Sequence, residues 1–153
     1  MADKQFTQTH SEFIHLSLLT PKMDFLDLEE YNERLVSVLI ESVNNEERLA
    51  ICLQMAACLA QLQTALNEPV PESRIAQLTT EDETVYWNSS FIAEPETVTL
   101  YCRALTQALL SRVLSPEIEE AFRGLLFDLV SFQVDDLKAP RFVRTESGLE
   151  HIR

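Results

Sequence analysis

The sequence predicts an all-α domain, a bundle of four long helices plus one short helix. Three observations lead there. The 153 residues contain only two glycines, Gly124 and Gly148, too few for the positive-φ turns of an all-β protein. Apolar residues make up 46% of the chain, enough for a packed core at this length and more than a disordered chain carries. Apolar residues recur at three- and four-residue spacing between prolines 21, 69, 71, 95, 116 and 140.

The first long helix is expected over 24–43. Leu28, Tyr31, Leu35, Val38, Leu39 and Ser42 share one face, widened by Val36, Ile40 and Val43. Asp24, Asp27, Glu29 and Glu30 sit in its first turns, where the helix dipole favours negative charge. The second runs from Asn44, read as an N-cap with Glu47 at the third position, to about Leu66, stopped by Asn67-Glu68-Pro69. Its segment 49–60 is apolar nearly all round, which places it at the centre of the bundle with Ala50, Ala56, Ala57 and Ala60 allowing close neighbours. The short helix falls within 71–78, and 79–93 carries no clear periodicity.

The third long helix begins near Pro95 and uses Val98, Tyr101, Leu105, Ala108, Leu109 and Val113 as its apolar face. The fourth begins at a Ser115 cap followed by Pro116, with Ile118, Ala121, Phe122, Leu125, Leu126, Leu129 and Phe132 as its buried stripe. Gly124 inside that helix costs roughly 1 kcal/mol relative to alanine, which suggests a close helix crossing there. At the ends, Ile14, Leu16 and Leu18 alternate with polar residues, and 141–145 has strand character. Two readings stay open: the termini pair as a minor two-stranded element, or the C-terminus is a frayed tail. Residues 1–139 thus form an acidic helical domain, and 140–153 a basic C-terminal tail or edge strand.

The net charge is −13. Lys138, Arg141, Arg144 and Arg153 outweigh Glu146 and Glu150, leaving −15 on residues 1–137. A body this acidic repels nucleic-acid phosphates and anionic membrane surfaces and attracts a basic protein partner. No apolar leader follows Met1, and 49–60 is too short to span a bilayer, so the expected location is cytoplasmic. Cys52, Cys58 and Cys102 are an odd number without paired spacing and read as reduced, buried thiols.

No residue pattern specifies catalysis, a metal or a cofactor. Glu12-Phe13-Ile14-His15 matches one Glu-x-x-His element of a di-iron bundle, but the second copy is missing. Cys102 beside Arg103 has no histidine positioned by sequence as its base. The carboxylate pairs cluster at helix starts, where capping explains them. What remains is binding. Glu29, Glu30 and Glu33 are expected to line up with Glu46 and Glu47 across the first interhelical turn, with Glu81, Asp82 and Glu83 adding a second acidic run. Tyr86, Trp87 and Phe91 are the candidate aromatic anchors beside that run. The expected function is a non-catalytic protein-binding module, inclined toward an acidic inhibitor of the immunity-protein or antitoxin type that neutralises a basic partner. The alternative is an assembly, chaperone or adaptor subunit acting as a homodimer through surplus apolar surface.

Overall fold

A computed structural model describes residues 19–82 and 94–152. Its elements are α1 (Phe25–Glu41), α2 (Asn45–Leu66), α3 (Glu72–Ile75), β1 (Thr79–Thr80), α4 (Pro95–Ser111), α5 (Pro116–Lys138), β2 (Phe142–Thr145) and β3 (Gly148–His151).

Each long helix starts where its sequence supplies a cap. Asp24 accepts hydrogen bonds from the Leu26 and Asp27 amides, and Asp27 reaches back to the Asp24 amide, closing a capping box. Asn44 accepts from Glu46 and Glu47, but Glu47 returns no bond and its buried Oε1 has no partner, so only half of the expected box forms. Pro95 and Pro116 occupy first helical positions, where their missing N–H costs nothing, and Ser115 caps α5 through the Ile118 amide.

The four long helices form a ring in which α1 packs on α2 and α5, and α4 packs on the same two. Cross-links between neighbours fix their directions. Tyr31 donates to Gln54 at 2.9 Å and the Cys58 thiol to the Leu28 carbonyl at 3.3 Å, so α1 and α2 are antiparallel. Arg103 bonds Gln63, and Gln133 donates to the Pro95 carbonyl and Thr99 hydroxyl, which extends the alternation to α4 and α5. The result is an up-down-up-down bundle. Leu28, Leu35, Leu39, Ile51, Met55, Leu59, Leu62, Val98, Leu126, Val130 and Leu137 fill its interior.

One end of the bundle carries a three-stranded sheet of order β1-β2-β3, β2 running parallel to β1 and antiparallel to β3. Phe142 on β2 is buried in the core, and the Arg141 and Phe142 amides both donate to the Leu78 carbonyl. The basic C-terminal segment is therefore structured and seated on the bundle. Both edges of β2 are taken by β1 and β3. Residues 14–18, expected to pair with the C-terminal segment, lie outside the described residues.

Four expectations are corrected. Helix α2 is a corner of the ring, not its centre: Leu53 is 58% exposed and Ala57 and Ala60 face outward, because every helix of a four-membered ring keeps an outer face. Its length and apolar composition suffice to cross a membrane, yet Ile51, Met55, Leu59 and Leu62 are packed into the bundle. On α4 the buried row is Val98, Cys102, Thr106 and Leu109, whereas Tyr101 is exposed and Val113 lies beyond the helix. Thr99 and Thr106 enter the core because their hydroxyls donate to the carbonyls of Pro95 and Cys102 one turn earlier. On α5 burial shifts to Leu126, Val130, Gln133, Val134 and Leu137, while Ile118, Ala121 and Leu125 stay exposed. A Cβ added at Gly124 meets nothing within 4 Å, so no helix crossing requires that glycine.

Candidate partner-binding surface and polar interior

The residues expected to form one acidic patch are distributed over three places. Glu29 is buried, 1% exposed, in a row with Phe25, Asn32 and Val36 whose spacing of four, three and four places it on the inner face of α1. Glu30 is on the surface of α1 and pairs with Lys138 of α5 at 3.5 Å; Glu33 is partly exposed nearby. Glu46 and Glu47 begin α2. The Tyr31–Gln54 and Leu28–Cys58 contacts put Glu33 level with the middle of α2, about 10 Å along the axis from Glu46. The expected alignment across the turn does not form, because Glu30 and Glu33 sit two to three turns before the end of α1. Glu81 and Asp82 are exposed at the sheet end of the bundle. Glu83, Tyr86, Trp87 and Phe91 lie outside the described residues.

Four arginines are half-buried in contacts within the protein, while Glu29 and Asp136 are the buried carboxylates among the described residues. Arg74 donates to both Asp24 and Asp27 at 2.6 Å, bracing the start of α1. Burial alone would raise the Asp24 carboxyl, but the Arg74 hydrogen bond and backbone amides outweigh it and hold the group below its ordinary value. Arg103 is engaged with Gln63, Arg141 lies over the Phe25 ring at 5.6 Å, and Arg48 donates to the Ser42 carbonyl at 2.8 Å. Among the described residues the exposed cations are Lys22, Arg34, Arg112, Lys138 and Arg144. They are outnumbered by exposed carboxylates on every long helix, including Glu41, Glu46, Glu96, Glu117, Asp128 and Asp135.

The interior holds a polar group that periodicity did not reveal. Glu29 and Asn32 have no hydrogen-bond partner for any side-chain oxygen or nitrogen, and Gln133 uses its amide NH2 but not its oxygen. Burial, then repulsion from Glu33, pushes the Glu29 carboxyl up to about 8 against the weaker pull of Lys138, so it is mostly protonated at neutral pH. Sequence offered one usable signal: Glu29 and Asn32 fall in phase with Phe25 and Val36.

The chemistry open to this interior is narrow. Burial raises the thiols of Cys58 and Cys102 to about 12 and that of Cys52 to about 11, which removes the thiolate a nucleophile needs. All three are free and buried. Among the described residues no three His, Cys, Asp or Glu side chains are placed to hold a metal ion. No protein-family model, curated protein or solved structure matches this chain.

Proposed function

We propose that the protein is a non-catalytic binding module whose acidic exterior docks on a basic protein, as a neutralising partner or inhibitor. The observation that carries this reading is the surplus of exposed carboxylates over exposed cations on the long helices, with Arg48, Arg74, Arg103 and Arg141 half-buried in contacts within the protein. A field of one sign accelerates encounter with an oppositely charged surface and selects against acidic competitors. The test is affinity capture from the native host, followed by light scattering of the eluted species at about 50 and about 500 mM salt, across which the screening length shrinks severalfold. The reading expects a basic protein bound to a monomer at low salt and shed at high salt. Capture of a partner indifferent to salt contradicts it.

A second reading, a homodimeric assembly or adaptor subunit, is favoured by the outer face of α2. Ala50, Leu53, Ala57 and Ala60 point outward or lie half-buried on a helix with no charged residue from 49 to 66. A dimer that persists at high salt and is broken by Leu53→Glu supports this reading over the first.

A further inference from the structure

At the end of the bundle opposite the sheet, the C-termini of α1 and α4 meet the N-termini of α2 and α5 around a cavity of about 160 Å³. Its floor is apolar, made by Leu39, Leu49, Cys52 and Leu109. Its polar wall contains three arginines, Arg48, Arg112 and Arg123, with Asn45 and a single carboxylate, Glu119. The chain has nine arginines and a net charge of −13, so three of them converging on one small cavity is a concentration of charge opposite in sign to the whole molecule.

The three guanidinium groups are incompletely used by the protein. Arg48 spends its Nε on the Ser42 carbonyl and makes only a long contact of 3.4 Å from Nη1 to Asn45. Arg123, with a side chain 12% exposed, approaches Glu119 at 3.9 Å, a charge contact too long for a hydrogen bond. Arg112 makes no hydrogen bond among the described residues. Burial, then the neighbouring Arg123, lowers the Arg48 pKa against the pull of Glu119, Glu120 and Glu47.

The backbone at Arg112 is a separate observation. This residue ends α4 with φ 58°, the left-handed conformation, and is the only non-glycine residue with positive φ among the described residues. Glycine relieves that strain at a helix C-terminus, and the chain instead places there an arginine that faces the cavity.

We propose that this cavity is a binding site for a small phosphate-type oxyanion, clamped by Arg48, Arg112 and Arg123 above an apolar floor. Guanidinium forks match the paired oxygens of a phosphoryl group, and three of them line this one wall with Glu119 as the single lining carboxylate, Glu47 and Glu120 acting on Arg48 from outside the lining. The volume accepts inorganic phosphate or the phosphoryl end of a small monoester, and it is too small to enclose a nucleotide. The site shares Arg48 with the acidic-exterior reading, but phosphate binding by the isolated chain is measured without a partner and so separates the two.

The test is titration calorimetry and thermal unfolding of the intact chain with inorganic phosphate and with glycerol 3-phosphate, at constant ionic strength held by chloride. Saturable binding with a rise in Tm is expected for at least one probe. Tighter binding of the monoester assigns the site to a phosphorylated small molecule, and tighter binding of phosphate to the free ion. Arg123→Gln and Arg112→Gly each remove charge-assisted bonds and should weaken binding by about tenfold or more. Arg112→Gly should at the same time raise the Tm of the free protein, because it relieves the left-handed backbone, which separates lost binding from lost folding. Arg34→Gln, on the outside of α1, should bind as the wild type does. No saturable binding of either probe, or binding unchanged in both Arg123→Gln and Arg112→Gly, overturns the proposal.

Discussion

Replacing Glu29 by glutamine tests the polar interior most directly. The carboxyl ionises near 4.5 in an unfolded chain and near 8 in the folded one. Below about pH 4.5 both states hold the proton and the group does not affect stability. Between about pH 4.5 and 8 the unfolded chain releases the proton while the folded protein keeps it, so rising pH favours unfolding by about 1.4 kcal/mol per pH unit. The accumulated loss is about 3 kcal/mol at pH 7 and approaches roughly 5 kcal/mol above pH 8, a large part of the stability of a domain this size. Glutamine has nearly the same shape and does not titrate. Urea unfolding followed by far-UV circular dichroism at intervals from pH 5 to 9 gives the comparison, because every other titrating group is common to both proteins and cancels in the difference. The Gln variant should gain on the wild type by about 1.4 kcal/mol per unit up to about pH 8 and then run parallel to it. Curves that stay parallel across the whole range would refute the assignment of a buried, unpartnered carboxyl to position 29.

Other perturbations probe separate features. Asp24→Ala removes an N-cap and the main acceptor of Arg74 together, and should cost about 2–3 kcal/mol in chemical unfolding at neutral pH. The same pair makes a pH-dependent contribution of opposite sense to Glu29: the Asp24 carboxyl is held low, so its stabilisation is present above pH 4 and fades as the pH falls below that, which acid titration of wild type against Asp24→Asn will register. Gly124→Ala fills open space on a helix and should raise Tm by about 2–4 °C in calorimetry, through roughly 1 kcal/mol of helix propensity. The three thiols should be unreactive toward a disulfide reagent in the native protein and all react after denaturation, the result expected of thiols raised to about 11–12 by burial.

The sequence was most legible where local chemistry decides the outcome. Asn44, Pro95 and Ser115-Pro116 locate three helix starts because caps and N1 prolines act within one turn. The short helix after Pro71 was likewise visible, and the strand at 142–145 decides between the two readings left open for the C-terminus. Where the reading missed, apolarity was used as a proxy for burial. It put Tyr101, Ile118 and Leu125 inside and Glu29 outside, and it gave no place to Thr99 or Gln133; helix phase buries Glu29, Thr99 and Gln133, and pairing within the core satisfies the threonine and most of the glutamine. The arginine cavity was out of reach for another reason. Arg48 and Arg123 lie on α2 and α5 and Arg112 caps the end of α4, and their convergence depends on the ring order α1-α2-α4-α5, which no single helix encodes.

The sheet that closes one end of the bundle has a consequence for assembly. The αα-hairpins α1–α2 and α4–α5 each join neighbours through loops of three or four residues and can form from local sequence alone. The strand contact between 79–80 and 142–143 joins the linker between the hairpins to the chain beyond the second of them. It acts as a clasp between the two hairpins, with Phe142 in the core beneath it. The clasp therefore ties both hairpins together at the base of the bundle, where the Leu78 carbonyl accepts from the Arg141 and Phe142 amides.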